Sequence, residues 1–302
     1  MRLLRNQRQE SSSPNLAISS QPKDLPLSRR VYNKAFQAAS QLLYVGLALA
    51  SLHIVTSHAE TLSQAPTNEQ TATSMVVSVQ QGQATQDYTL PVDSRLSQVM
   101  MQVELSDNDY WYAMAWLRPT NQAIYQDKKT QLLALIEQQM EQDKYAEQWR
   151  LVKQQVSVLT PTSRYTVPVH PDRVFAAPEQ NYLLKAHDQL VIPTRPSTVR
   201  MTGFIPTQQL AHQPKQDITK YLSAYQPFDL ADNSYVWLIK PDSSIQQLPI
   251  AYWNKQQSQP IAPGSIIYVP AKSQLFSKQY QQINQLYLEL LQNQYIGSAQ
   301  GE

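Results

Sequence analysis

No cysteine occurs in the 302 residues, only six are glycine, and only 16% carry a charge. Without cysteine there is no disulfide, no Cys-ligated zinc or iron–sulfur site, no thiol nucleophile and no acylated lipoprotein cysteine. With so few glycines the phosphate and nucleophile loops G-x-G-x-x-G, G-x-x-x-x-G-K-[ST] and G-x-S-x-G are all absent. A net charge of +2 leaves no nucleic-acid footprint. What replaces charge is amide: 42 residues are glutamine. The apolar share of 42% suffices for the cores of up to two ordinary domains.

Residues 1–37 are polar and basic. They precede an apolar run, Leu42 to Val55, closed by Thr56-Ser57-His58-Ala59. A basic start, a short apolar core and small residues at Ser57 and Ala59 match a cleaved secretory signal, with cleavage after Ala59. The core falls short of the roughly 20 residues that span a bilayer. Ser28-Arg29-Arg30 resembles a twin-arginine signal, although ordinary leader charge is the preferred reading. The expected location is the periplasm. Residues 60–74 are polar, lack periodicity and read as a linker.

The remaining chain alternates strand and helix signals. Met75–Val79 and Ala84–Pro91 read as a hairpin turning at Gly82. Ser94–Val103 has helical spacing with Ser94 as a candidate cap. Tyr110–Leu117 reads as an aromatic strand. Residues 121–156 carry two successive helical patterns, with Asp143 placed to cap the second. Further strands are expected at Tyr165–Val167, around Val174–Phe175, and over Asp188–Pro193, Thr198–Ile205, Tyr235–Ile239, Ile245–Ile250 and Ile266–Pro270. Helices are expected over Ile218–Tyr225 and Ser273–Gln294.

Two stretches repeat. Asp107-Asn108-Asp109-Tyr110 through Trp116-Leu117-Arg118-Pro119 matches Asp232-Asn233-Ser234-Tyr235 through Leu238-Ile239-Lys240-Pro241, and each is followed later by a strand closing on proline. The offset is 241 − 119 = 122 at the first prolines and 270 − 193 = 77 at the closing ones. The first copy therefore holds 122 − 77 = 45 extra residues, the size of the helical pair and its flanks. The expected fold class is α+β: two β-grasp-like domains, the first with an inserted helical hairpin, plus a C-terminal amphipathic helix. The boundaries expected are 75–195 with the insertion at 120–160, then 196–271, then the helix at 272–296.

Trp116-Leu117-Arg118-Pro119, Asn181 to Pro193 with Arg195-Pro196, and Val199 to Gly203 also carry a family resemblance. Tyr235 to Asp242, Ile250 to Asn254 and Ala262 to Pro270 extend it. Together they resemble the GfcC-like family of capsule and exopolysaccharide biosynthesis proteins. The sequence departs from that pattern where Ala186-His187-Asp188 replaces a Gly-Asp turn and where Ser243 replaces a glycine. The resemblance implies a periplasmic accessory factor of polysaccharide export, with two β-grasp domains and no established catalytic activity.

Candidate binding residues follow from chemistry. Arg118, after an apolar aromatic strand, needs an acceptor; Asp107, Asp109 or a sugar carboxylate would serve, or the guanidinium is a structural tie. Arg195 and Arg200 suit the bidentate pairing of an acidic polymer. Tyr110, Trp111, Tyr112, Trp116, Trp237, Tyr252 and Trp253 could stack on sugar faces, with core packing the default for most. On the last helix Tyr280, Ile283, Tyr287 and Leu290 step by helical spacing. They would pack on their own domain first, dock a partner second, or associate with the outer membrane third. His170, His187 and His212 have no metal-ligand spacing, and no catalytic, metal or cofactor residues are assigned. The expected function is a non-enzymatic periplasmic factor that binds the export machinery or an acidic polysaccharide, and not nucleic acid. The alternatives are a polysaccharide-modifying enzyme with an unrecognised site, or a purely structural partner of an outer-membrane export channel.

Overall fold

The computed structural model describes residues 73–167, 169–253, 260–272 and 278–298. The secretory signal read at residues 1–59 lies outside the described residues, as does most of the linker. The first sheet contains β1 (Ser74–Gln81), β2 (Ala84–Pro91), β3 (Ala115–Leu117) and β4 (Gln189–Ile192), ordered β2-β1-β4-β3. The second contains β5 (Thr198–Gly203), β6 (Gln208–Ala211), β7 (Tyr235–Ile239), β8 (Ile245–Pro249) and β9 (Ile266–Val269), ordered β6-β5-β9-β7-β8. The helices are α1 (Leu96–Met100), α2 (Gln122–Gln142), α3 (Ala146–Ser157), α4 (Pro171–Ala176), α5 (Ile218–Ser223) and α6 (Lys278–Asn293). The protein is a mixed α+β structure.

Alternation builds the strands. In β1, Met75, Val77 and Val79 are buried while Val76 is exposed, the two-residue period of a strand with one face inward. β9 is buried at all four positions, because both faces of its sheet are covered.

The two sheets share one topology, and the sequence offsets coincide with its register. β1 pairs parallel with β4 through Ser78↔Gln189, and β5 with β9 through Arg200↔Ile266. β3 pairs antiparallel with β4 through Ala115↔Val191, and β7 with β9 through Trp237↔Tyr268. In each case the first partner shifts by the first offset and the second by the other. The lone bridges Asp109↔Thr194 and Ala231↔Ala271 obey the same rule, and α1 and α5 begin at equivalent positions. The outer place taken by β8 in the second sheet is taken in the first by residues 163–165. There the Arg118 N–H donates to the Ser163 carbonyl at 2.8 Å, and the Tyr165 N–H to that of Trp116 at 2.7 Å.

The substituted turns keep the glycine conformation. His187 has φ 66° where its counterpart Gly264 has φ 82°, and Ser243 has φ 68°. The departures from the family pattern therefore change the residue and not the turn.

Several expectations are corrected. The aromatic stretch from Tyr110 is a 3-10 turn over Trp111–Ala113, followed by only three strand residues, because the Ala113 and Met114 N–H groups donate back to the Tyr110 and Trp111 carbonyls at 2.9 and 3.0 Å. Val174 and Phe175 lie in α4, where Pro171 presets the first helical turn. Tyr165–Val167 contributes edge hydrogen bonds and no strand. Arg95 rather than Ser94 caps α1: its N–H donates to Gln98 Oε1 at 2.7 Å. Strand β6 has no signal in the sequence, because its residues Gln208–Ala211 lack apolar alternation.

The helical pair belongs to the other core. Met75, Val77, Leu96, Val99, Trp116 and Leu190 form one buried cluster around the first sheet. Leu132 and Ile136 of α2, and Trp149, Val152 and Val156 of α3, instead join Val199, Met201 and Ile267 of the second sheet and Ile283, Tyr287 and Leu290 of α6. The pair stands between β3 and β4 in the chain, yet it is buried with β5 to β9.

Candidate functional site

Arg118 ends β3 and finds its acceptor at the start of β4. Its Nε donates to Asp188 Oδ1 at 2.9 Å and its Nη2 to Oδ2 at 2.8 Å. The guanidinium lies over Trp116 at 4.5 Å and beside Tyr165 at 5.2 Å. The expected acceptors are thus replaced: Asp107 is exposed in its turn, and Asp109 accepts from Gln81 and the Ser106 N–H. Trp116 is buried and presents no face to a sugar. Arg195 is exposed and lies over the Tyr110 ring at 5.4 Å.

The C-terminal stripe is core. Ile283, Tyr287 and Leu290 have no exposed area and pack on their own domain, the first of the three arrangements expected, so they offer no docking face. Tyr287 meets Thr202 Oγ1 at 3.2 Å, and Tyr268 of β9 donates to Asn284 Oδ1 at 3.1 Å, so α6 covers that face of the second sheet. Tyr280 is partly buried and its hydroxyl donates to Asp143. Among the described residues no helix is long and apolar enough to cross a membrane.

The repeat changes the chemistry at one pair. Lys240 is the counterpart of Arg118, and Ser265 is the counterpart of Asp188. The carboxylate that holds the first cation is missing from the second sheet, and Lys240 makes no ion pair among the described residues. Lys240 instead lines a small cavity of about 50 Å³ together with Arg164, Thr198, Arg200 and Gln209. The C-terminal residues Tyr295 and Ile296 close it. Gly264 permits that closure, since a Cβ there would stand 2.5 Å from Ile296 Cδ1 and 3.0 Å from Pro196 Cγ.

Arg164 is the residue that sequence reasoning missed. It sits in a polar stretch with no periodicity, where its backbone bridges Leu117 at the sheet edge and accepts from Asn293 Nδ2. It is 3% exposed, and its Nη1 and Nη2 donate to the carbonyls of Gln294 at 2.5 Å and Pro241 at 2.7 Å. Burial lowers its guanidinium to about 10, against the pull of Asp242, Tyr125 and Tyr295, so it stays charged at neutral pH. Burial lowers Arg200 as well, opposed by Tyr287. The cavity is therefore cationic, and Asp242 is the carboxylate whose charge acts on Arg164.

It adjoins a wider groove of about 400 Å³, with which it shares Pro196, Thr198, Gln209, Tyr295 and Ile296. The groove adds the amides of Gln80 and Gln83 and the hydroxyls of Thr194 and Ser197. Tyr295 packs against Ala115, Leu117 and Val191 of the first sheet, so the groove takes residues from both sheets. Such a site can hold an anionic group in the small cavity and a polyhydroxylated body in the groove. Among the described residues no group of histidine, aspartate and glutamate is placed to hold a metal.

Residues 72–195 match the family Capsule biosynthesis GfcC, N-terminal, and residues 207–295 match the family Capsule biosynthesis GfcC C-terminal. The chain is 36% identical over 142 residues to the uncharacterised protein YjbG of Escherichia coli (strain K12). That match covers 46% of this chain and 57% of YjbG, so it spans a little over half of the relative's length.

Proposed function

Because the chain belongs to the GfcC family of capsule biosynthesis, we propose that it is a non-enzymatic periplasmic accessory factor that binds an acidic segment of a capsule or exopolysaccharide. The observation that carries this reading is the cationic cavity of Arg164, Arg200 and Lys240 opening onto a groove of amides and hydroxyls. A uronate carboxylate would enter the cavity, where partial burial strengthens its pairing with guanidinium, and the sugar ring would lie along the groove. In the same proposal each sheet with its helix, α1 or α5, is a β-grasp unit, on the shared strand order. The helical pair is then an insertion in the first unit that was recruited to the second core. The domain limits 75–195, 196–271 and 272–296 and cleavage after Ala59 belong to this reading.

Calorimetric titration of the full chain with alginate oligosaccharides, against neutral dextran, tests it. Binding of alginate alone is expected, weakened about tenfold or more by Lys240→Ala and Arg200→Gln and reduced by added salt. Equal binding of dextran, or no binding of alginate, rejects it.

A second reading, contact with a protein of the export machinery, is favoured by Tyr252 and Trp253. They are 102% and 73% exposed beside one another. Tyrosine and tryptophan are typical anchors of protein interfaces.

A further inference from the structure

The flank of α6 leaves a second cleft open over β7. Tyr235 and Trp237 lie two residues apart on one strand and so point to the same face, and both are partly buried. With Gln247 of β8 they border a cleft of about 180 Å³, whose polar rim also takes Asp232 and the α6 residues Gln281, Asn284 and Gln285. The character of this cleft is opposite to that of the cationic groove. Among the described residues its lining holds one carboxylate and no cation.

Asn284 is engaged by Tyr268 and Ala271 and Gln285 by Glu289, but the rest of the rim is open. The amides of Gln247 and Gln281 make no side-chain hydrogen bond among the described residues. Asp232 Oδ1 accepts the N–H groups of Ser234 at 2.7 Å and Tyr235 at 3.2 Å, which fixes the carboxylate and leaves Oδ2 to accept from a ligand. An aromatic face, two unengaged planar amides and an oriented carboxylate match one ligand chemistry. The ring face takes the C–H face of a pyranose, while the amides and carboxylate take vicinal hydroxyls.

We propose that this cleft is a subsite for a single neutral pyranose residue. Its size suits one ring, and the lone carboxylate would repel an acidic sugar. The inference rests on the saccharide reading above for its ligand class only; the residues and the charge of the site are its own.

The test is fluorine NMR of the full chain labelled with 5-fluorotryptophan. The Trp237 signal is assigned by its loss in Trp237→Phe. The probes are methyl β-glucopyranoside, methyl β-galactopyranoside, N-acetylglucosamine and glucuronic acid. At least one neutral sugar should shift the Trp237 signal saturably, and glucuronic acid should do so less. The exposed-rim variants Gln247→Ala and Gln281→Ala should each weaken that response about three- to tenfold, the worth of one hydrogen bond. A silent Trp237 overturns the proposal, as does a response unchanged in both glutamine variants or strongest for glucuronic acid. The cleft and the cationic groove fail separately: silence at Trp237 alongside alginate binding rejects the cleft alone. A Trp237 response without alginate binding supports the cleft and rejects the groove.

Discussion

Asp188 receives Arg118 through two parallel hydrogen bonds, and its carboxylate is completely buried beneath the guanidinium. The same Oδ2 accepts the Lys185 N–H at 2.9 Å, so the pair locks the turn before β4 to the end of β3. Arg118→Ala would strand that carboxylate and should cost about 3–5 kcal/mol. Arg118→Lys should recover only part, because an ammonium cannot reproduce the fork or the stacking on Trp116. Urea unfolding measures both; a loss below about 1 kcal/mol for the alanine variant would contradict the structural role.

The strained turns make an opposite prediction. His187 and Ser243 hold φ values of 66° and 68°, a region that costs a non-glycine residue about 1–2 kcal/mol. His187→Gly and Ser243→Gly should each stabilise the fold by up to about 1 kcal/mol, after the entropy lost by glycine. Gly203→Ala should do the reverse by more than about 3 kcal/mol, since its φ is 106° and a Cβ would collide with the Val269 carbonyl and the Tyr268 ring. Thermal melts of the three variants should rank in that order.

Helices α2, α3 and α6 share a core with the second sheet, so damage there should be felt by that sheet first. Leu290→Ala should cost about 2–5 kcal/mol and Trp149→Ala about 3–5 kcal/mol, since both side chains are fully buried. Amide exchange should show β5 to β9 losing protection before β1 to β4 in either variant. Uniform loss across both sheets would show that the two clusters unfold as one.

Stability should fall at both ends of the pH range. Burial would raise the Asp143 carboxyl, but hydrogen bonds from Tyr280, Trp149 and the Tyr145 N–H outweigh it and hold the group below the ordinary range. Its contribution is present above the unfolded value of about 3.9 and is lost as pH falls through the lowered folded one. Burial drives the Tyr287 hydroxyl up to about 12 against the pull of Thr202 and Arg200, and burial with the charge of Asp242 drives Tyr112 up to about 12. Their contributions are complete below the unfolded value of about 10 and are lost as pH rises from there to about 12. Urea midpoints across pH should show the acid limb flattened in Asp143→Asn and the alkaline limb reduced in Tyr287→Phe.

Much of the architecture was written locally. The period of two in β1, the helical stripes of α2, α3 and α6, and the spacing of four prolines sufficed to place strands, helices and a repeat. The ladder register then followed that spacing, because an uninterrupted segment carries its pairing with it. The stripe on α6 announced burial but not its partner, since an amphipathic face has the same pattern whatever covers it. Only the tertiary structure decided that the helical pair between β3 and β4 is buried with the second sheet, that Asp188 rather than Asp107 receives Arg118, and that Arg164 turns inward beside Arg200 and Lys240. These are contacts between residues far apart in the chain, set by which surfaces close on one another. A single sequence records the charge of Lys240 and the absence of a carboxylate at Ser265, but the fold alone brings that residue to the lining of a cavity with Arg164 and Arg200.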